Sequence, residues 1–539
     1  MPTLNWIGKE AVVNHHHQVP FRLLKDVPEL ACGDPGSGNL IVQGDNLVAL
    51  KALLPYYAGQ VKCIYIDPPY NTGNEGWVYN DNVNSPLIRE WLGKTVGKEA
   101  EDLSRHDKWL CMMYPRLAVM KHFLREDGAI FVSLDDNEVQ ALRYVMDEIF
   151  GQQNFVSTII WQKKYSASND HKSIAPMHDY VVVYQRSEKF HRNLMPRTVS
   201  KDRQYRFEDE GGIFRISDYT CNKSADERPN LFYPIKNPKT GEDTWPKRTR
   251  VWAYSQAVHD KNSAEGLVFW GKDGNATVPS FKRYRSSLKG GGGTVPATWW
   301  DHEFADHTDG AKKELREVFG ADSRLDFFTP KPTRLIHRIL QIASNPGDLI
   351  LDSFAGSGTT GHAVLNLNKA DGGNRKFILV EMESKIACDI TAERVRRVAQ
   401  GYTNAKGEQG EGLGGGFRFC ELGEPLFDEH GQIRSSVRFA DLARHVYFTE
   451  TGEPLPRERV LKSPLIGECR GVGIYLLFNG ILGDKSVNGG NILTRAVLAQ
   501  LPAYDGQKVI YCAGCLLGKD RLQAERITIR QTPYEIKVS

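Results

Sequence analysis

Val61-Lys-Cys-Ile-Tyr-Ile-Asp-Pro-Pro-Tyr70 is a short apolar, β-branched run that halts at two consecutive prolines. Neither proline can join a strand ladder or continue a helix, so the stretch predicts a buried strand feeding a rigid loop at Asp67-Pro68-Pro69-Tyr70. Upstream, Leu47, Leu50, Leu53 and Leu54 keep helical spacing behind Gly44-Asp45-Asn46, where Asp45 or Asn46 can supply a cap. Downstream, Trp109 to Leu124 carries helix-spaced apolar residues and Asp127-Gly128 makes a turn. Ala129 to Leu134 then reads as a second buried strand, ending at Asp135-Asp136-Asn137. Strand and helix alternate, which predicts an α/β fold around a mostly parallel sheet.

Two further β-rich runs, Phe155 to Trp161 and Tyr180 to Tyr184, flank a polar loop with Lys163, Lys164 and Asn169. From about Gln185 to Asp326 the chain mixes Gly, Pro, aromatic and basic residues without a sustained helical period, including Gly290-Gly-Gly-Gly293. Trp245, Trp252, Phe269, Trp270, Trp299 and Trp300 carry too much apolar surface for a disordered linker, so an inserted domain is expected. The α/β pattern resumes with a helix around Leu335 to Ala343, the strand Asp348 to Asp352, a Gly-rich turn, a helix through Ala363 to Leu367 and the strand Phe377 to Glu381. Gly407 to Gly416 marks a boundary, beyond which Gly473 to Phe478, Leu493 to Leu501 and Lys508 to Cys512 predict a small separate α/β domain. The expected divisions are therefore 1–185, 186–325, 326–415 and 416–539.

The 539 residues exceed one ordinary core, and 40% hydrophobic with 25% charged residues fits a folded globular chain. No apolar run approaches the roughly 20 residues of a membrane span, and Met1 to Trp6 lacks a leader-like pattern, so a cytoplasmic location is expected. Nine cysteines, an odd count, are scattered apart from Cys512-Ala-Gly-Cys515, which favours reduced thiols over a disulfide framework. No metal site is expected: that lone pair lacks a second one, and consecutive His15-His16-His17 cannot all face one ion. A net charge of +3 does not announce a nucleic-acid binder, so any such surface must be a local patch.

Gly356-Ser-Gly358-Thr-Thr-Gly361 follows a strand and opens a helix, with Glu381 about 20 residues further on at the end of the next strand. Glycines there let the backbone approach a cofactor, and the carboxylate can accept hydrogen bonds from ribose hydroxyls. This pattern alone leaves NAD and S-adenosylmethionine open, since both present an adenosine ribose. Asp67-Pro68-Pro69-Tyr70 separates them. Methylating an exocyclic amine requires acceptors for the amino hydrogens, and a carboxylate and a carbonyl fixed by prolines provide them. The target base must also leave the duplex, and stacking on Tyr70 would return about 1 to 3 kcal/mol. Within the insertion, Lys247-Arg248-Thr-Arg250-Val-Trp252 and Phe281-Lys282-Arg283-Tyr284-Arg285 interleave cations with aromatics, as phosphate contact and base stacking require. For either cluster alone a solvated basic face stays open; their shared position between the two halves favours recognition.

Asp67-Pro-Pro-Tyr70 with Asn71-Thr72 resembles the catalytic motif of amino methyltransferases, and Leu351-Asp-Ser-Phe-Ala-Gly-Ser-Gly-Thr-Thr360 resembles their cofactor loop. Their order, catalytic motif first and cofactor loop after a long insertion, is similar to that of β-class DNA methyltransferases. Gly44-Asp45-Asn46, Phe328-Thr329-Pro330-Lys331-Pro332 and Gly416-Phe-Arg-Phe419 extend the likeness to modification subunits of type III restriction systems. It covers roughly residues 40–185 and 325–420, and the insertion only by position. Ser353 departs from the proline that many β-class members carry and should loosen the turn.

The resemblance implies a Rossmann-like, S-adenosylmethionine-dependent methyltransferase sheet in circularly permuted motif order, with an inserted target-recognition domain. It implies transfer to N6 of adenine in duplex DNA after base flipping. In residue terms, Asp67 and the Pro68 carbonyl, stiffened by Pro69, hold the amino group while Tyr70 stacks the base. Glu381 holds the ribose, and Gly356 and Gly358 admit the cofactor within the loop that Ala355, Ser357 and Thr359 share. Asp352 lies beside its methionine end, Asp45 and Phe354 flank the adenosine, and Thr329 and Lys331 close the site. Lys163, Lys164, Lys247, Arg248, Arg250, Lys282, Arg283 and Arg285 are the expected DNA contacts. Implied partners are double-stranded DNA, a second copy of the chain and a restriction or helicase subunit. The absence of any Pro-Cys dipeptide argues against cytosine C5 chemistry. N4-cytosine methylation and a non-catalytic specificity module remain the alternatives.

Overall fold

A computed structural model describes residues 4–72, 90, 93–94, 104–167, 173–197, 202–288, 293–320, 329–404, 406–455, 461–478, 480–483 and 490–533. Asn169, Gly290 to Gly292, Phe328 and the expected boundary at 325 lie outside the described residues. The chain forms two compact units, one of residues 1–193 with 297–539 and one of Leu194–Pro296.

The main sheet of the larger unit has ten strands: β1 (Arg22–Asp26), β2 (Leu40–Gln43), β3 (Val61–Ile66), β4 (Leu124–Leu134), β5 (Phe155–Gln162), β6 (His178–Gln185), β7 (Trp299–Trp300), β8 (Leu349–Asp352), β9 (Lys376–Glu381) and β10 (Arg418–Pro425). Their order is β1-β10-β2-β9-β8-β3-β4-β6-β5-β7. Every ladder from β10 to β4 is parallel. Strand β6 runs antiparallel to both β4 and β5. The mostly parallel sheet expected from the alternating pattern is therefore present.

All six residues of β3 are buried, as its apolar run predicts. Lys62 among them reaches out with its ammonium, which donates to the Asp127 carbonyl at 2.6 Å and carboxylate at 3.0 Å. Strand β8 comes from the distant half of the chain and inserts between β3 and β9, pairing Leu351 with Ile64 and with Ile378. Parallel strands end at a common edge, so the residues after β3, β8 and β9 are delivered to one place.

Helices α1 (Asn46–Tyr57), α2 (Arg105–Phe123) and α3 (Val139–Phe150) share a core with Ile64, Ile66, Ile130 and Val132 on one face of the sheet. Cys63, Tyr65, Ala129 and Phe131, which alternate with them, are equally buried, so both faces are covered. Helix α1 is capped by Asp45, whose carboxylate accepts from Val48 N at 3.0 Å. Helix α2 begins at a reciprocal cap between Ser104 and Asp107. Among the described residues, no helix is long and apolar enough to cross a membrane.

Two expected boundaries shift. Helix α4 (Thr308–Phe319) and β7 belong to the larger unit rather than to the insertion. Ala311, Leu315 and Val318 form the buried stripe of α4, a helical period hidden by the irregular sequence before it. The stretch after Gly416 clusters with the larger unit, although it builds its own four-stranded sheet from Leu465–Cys469, Val472–Leu476, Gln507–Cys512 and Ile527–Gln531. Strand β10 lies inside the main sheet, and Leu442, Val446, Ile474 and Tyr511 join the main core. The glycine run there serves close packing instead of a linker: a Cβ on Gly416 would sit 2.5 Å from the Cys32 carbonyl oxygen.

Helix α5 (Thr333–Ala343) packs against α6 (Thr359–Asp371), the helix that the glycine-rich turn opens. The smaller unit carries a four-stranded antiparallel sheet in the order Val268–Phe269, Ser280–Tyr284, Gly212–Asp218, Phe207–Asp209. Tyr219, Ile235, Trp252 and Trp270 form its apolar centre; of the aromatic payload expected to fill the insertion, Trp252 and Trp270 do so, whereas Trp245 is exposed and Trp299 and Trp300 belong to the larger unit.

Candidate active site

The proline loop leaves the carboxyl end of β3 and is clamped from two helices. Trp109 of α2 donates its indole N–H to the Pro69 carbonyl at 2.7 Å. Asn71, buried and in the left-handed region at φ 57°, donates its amide to the Arg105 carbonyl at 3.1 Å and to Glu138 at 2.5 Å. A non-glycine residue held there needs such support, and the clamp fixes where Asp67 and Tyr70 point.

The glycine-rich turn leaves β8. Gly358, at φ 75°, meets the Thr391 carbonyl so closely that a Cβ would lie 3.0 Å from its oxygen. Gly356 N donates to Glu381 Oε2 at 2.9 Å, and Glu383 N donates to Oε1 at 2.9 Å, so the carboxylate at the end of β9 is tied to the turn. Buried Asp352 accepts from Phe354 N at 3.0 Å and from the Thr360 hydroxyl at 2.5 Å. Burial pushes its carboxyl up to about 7, against the pull of those two donors.

Lys331 joins the two halves. Its ammonium donates to both oxygens of Asp67, at 2.7 and 2.6 Å, and its carbonyl accepts from the Thr359 hydroxyl at 3.0 Å. A narrow cleft of about 20 Å³ is lined by Asp67, Thr329, Lys331, Asp352, Phe354, Ala355, Gly356, Ser357 and Thr359 among others. Nine of the expected site residues thus come from both halves onto one cleft, with Glu381 held behind the turn. Asp45 is not in that lining. Its carboxylate caps α1 and also accepts from buried Arg116 at 2.8 Å.

On the other side of Lys331 lies a larger cavity of about 500 Å³, lined by Tyr70, Thr72, Asp135, Lys163, Lys164, Asp179, Lys312, Thr329 and Lys331 among others. Asp179, at the start of β6, is a site residue that the sequence reading missed; the only local signal is an acid at a buried position of an apolar strand. It accepts from Lys163 at 2.5 Å and from the Tyr70 hydroxyl at 3.3 Å. Burial pushes its carboxyl up, while Lys163 and Lys331 pull it down. Burial also raises the Tyr70 phenol well above its ordinary value, with Asp179 and Asp67 adding to the effect. Arg394 was missed as well: fully buried, it braces the turn through Ser357 Oγ at 3.1 Å and Thr359 Oγ1 at 2.9 Å.

The expected DNA contacts divide. Lys163 is drawn inward onto Asp179, whereas Lys164 is exposed. In the smaller unit Lys247, Arg248, Arg283 and Arg285 are exposed and Arg250 partly so. Lys282 is mostly covered and paired with Asp209 at 2.6 Å.

The sequence profile described as DNA methylase matches residues 61–396, more than half of the chain. The type III restriction-modification enzyme StyLTI Mod subunit of Salmonella typhimurium is 36% identical over 67% of this chain. The chain spans 57% of that subunit's length. The type II methyltransferase M.KpnI of Klebsiella pneumoniae is 31% identical over 75% of this chain and 97% of its own length. DNA adenine methyltransferase YhdJ of Escherichia coli is 46% identical over 85 residues, 14% of this chain and 27% of that protein. With the proline loop, the glycine-rich turn and the Lys331 bridge all inside the matched span, the chain belongs to the DNA methylase family.

Proposed function

We propose that this chain transfers the methyl group of S-adenosylmethionine to N6 of adenine in duplex DNA, within a restriction-modification or related system. The observation that carries the reading is the meeting of an acid and a tyrosine from one half with a glycine turn and an acid from the other, across the Lys331–Asp67 contact. The donor set fits the cofactor. Glu381 is held by both oxygens at the turn, as a carboxylate near ribose hydroxyls would be, Gly358 removes bulk there, and Asp352 offers a buried carboxyl to a positively charged end. When bound, the cofactor supplies an electrophilic methyl group on a sulfonium.

The chain's own residues do the rest. Asp67 and the Pro68 carbonyl accept hydrogen bonds from the target amino group, which localises the nitrogen lone pair, and Asp67 takes up the released proton. Tyr70 offers a face for the flipped base, and the 500 Å³ cavity beside it has room for one. Asp ahead of Pro-Pro-Tyr and the likeness to an adenine methyltransferase favour adenine over cytosine. The likeness to a Mod subunit of a restriction-modification enzyme supports a partner restriction subunit, and the same proposal takes the chain as a cytoplasmic homodimer whose smaller unit, Leu194–Pro296, reads the DNA.

Sequencing that detects modified bases in DNA from expressing cells, with mass analysis of its nucleosides, tests this. N6-methyladenine in one short sequence context is expected. N4-methylcytosine would overturn the choice of base, and unmodified DNA would overturn the reading itself. Light scattering tests the dimer, which a concentration-independent monomer would contradict.

A further inference from the structure

Lys163 is an unusual loop cation. A lysine that contacts phosphates is expected to reach into solvent, but the side chain of Lys163 is only 19% exposed. Its backbone is pinned on both sides, with its N–H on the Met177 carbonyl at 3.0 Å and its carbonyl accepting from Thr308 N at 3.0 Å. The ammonium ends 2.5 Å from Asp179, whose side chain is 4% exposed.

Burying such a pair costs desolvation that the attraction barely repays, so stability alone is a poor reason for it. Both residues line the cavity beside Tyr70, and the Tyr70 hydroxyl reaches the second oxygen of the same carboxylate. The stacking platform and the buried ammonium therefore share one anchor. An ammonium has three donors and no acceptor, and Asp179 takes one of them. The ring edges flanking the adenine amino group, N1 on one side and N7 on the other, are acceptors without a donor. Lys163 lines the same cavity as Tyr70, the cavity that a base stacked on that ring would enter.

We propose that Lys163 reads the target base directly, donating a hydrogen bond to a ring nitrogen beside the amino group, and that Asp179 is the positioning residue that aims it. The proposal rests on the adenine reading above. It gives Lys163 a different task from the phosphate contact that its sequence suggests, and explains why a charged pair is buried behind the stacking tyrosine. Lys164, the exposed neighbour, keeps the role of a surface cation.

Duplexes carrying the recognised sequence, once modified-base sequencing has located it, are made with adenine, 1-deazaadenine or 7-deazaadenine at the target position. The wild-type chain is expected to methylate one of the two analogues roughly ten- to a hundredfold more slowly, the size of a lost hydrogen bond to a charged group. Lys163→Met should lose a similar factor on adenine and show no further penalty with that analogue. Asp179→Asn should show a smaller loss and a reduced analogue penalty, with cofactor affinity unchanged in calorimetry.

The proposal is overturned if the wild type treats all three bases alike, an outcome that needs no variant to fold. It is equally overturned if Lys163→Met keeps the full analogue penalty while lowering the slope of log affinity against log salt by about 0.9, the mark of one phosphate left without its cation. No methylation of the adenine duplex by the wild type would instead remove the adenine reading beneath it.

Discussion

Lys331 donates to both oxygens of Asp67 while its ammonium stands 4.8 Å from the centre of the Tyr70 ring. Those oxygens are the acceptors proposed for the target amino group, and that ring is the proposed stacking face. The lysine thus occupies the seat of the target amine. It also walls the neighbouring cleft, whose volume of about 20 Å³ is far below the several hundred typical of small-molecule sites.

The pair should also carry stability. Lys331 and Asp67 have side chains only 9% and 16% exposed, so Lys331→Met leaves a carboxylate stranded in a poorly hydrated place. A loss of about 2 to 4 kcal/mol at pH 8 is expected in urea unfolding. Adding Asp67→Asn should recover most of it, and a double variant no more stable than Lys331→Met would refute the coupling.

Catalysis and cofactor binding should separate at Asp67. Asp67→Ala removes an acceptor for the amino group but touches neither Glu381 nor the glycine turn. Transfer should fall by roughly a hundredfold or more while the cofactor dissociation constant changes by a few-fold. Equal losses in the methylation assay and in calorimetry would mean that Asp67 serves the cofactor instead.

Asp352 predicts a pH dependence of cofactor binding. With its carboxyl raised to about 7, it is mostly protonated at pH 6 and ionises when a positive charge arrives beside it. Affinity should therefore rise as pH climbs from 5 to 7 and level off above. Calorimetry at pH 6 in buffers of different ionisation enthalpy should show release of about one proton. Asp352→Asn should abolish that release, and an unchanged proton count in the variant would assign it elsewhere.

Most of the fold is legible where its cause is local. The run Val61 to Ile66, the cap at Asp45 and the glycine turn at 356–358 each contain the signal that makes them, and the structure builds each one. What stays hidden is created by pairing between distant segments. Asp179 looks like an odd residue in an apolar strand until β6 is laid against β5 and Lys163 comes within reach. Strand β10 follows a glycine-rich stretch that resembles a linker, and nothing near it announces a partner almost 400 residues away in β2. Arg394 reads as one more cation on a charged helix, although its guanidinium is fully buried behind the turn.

Histidine burial predicts acid lability. His16 is held down to about 4 by desolvation, with further lowering from His17, Lys51 and His122, and its Nδ1 has no hydrogen-bond partner among the described residues. Because the folded form resists a proton that the unfolded chain accepts near 6.5, the stability His16 protects is complete above that pH and is lost as pH falls toward 4. The loss should approach about 3 kcal/mol. Asp352, raised instead, works in the opposite direction between about 4 and 7, so the comparison to make is between wild type and His16→Leu. The variant should have a flatter stability profile between pH 6.5 and 4; parallel profiles would count against His16.

The smaller unit offers the last test, because its cations fall into two kinds. Arg248 pairs with Asp226 at 3.1 Å, both well exposed, and Arg285 pairs with Asp202 at 3.1 Å. Arg250 reaches Asp218 at 2.6 Å, and Arg283 donates to the Ser217 hydroxyl at 3.1 Å. Exposed pairs of this sort are worth at most about 1 kcal/mol, so a phosphate can displace the acid at little cost. Lys282 differs: 16% exposed, it bridges to Asp209, which also accepts from the Tyr284 hydroxyl. Neutralising Arg248, Arg250, Arg283 and Arg285 should therefore weaken DNA binding and lower the slope of log affinity against log salt by about 0.9 for each phosphate that no longer meets a cation. Cofactor affinity should not change. Lys282→Met should instead lower the unfolding midpoint and leave the salt slope alone. If the quadruple variant keeps both affinity and slope, these arginines only solvate the unit, and Lys164 and Lys312 at the mouth of the cavity become the next cations to neutralise.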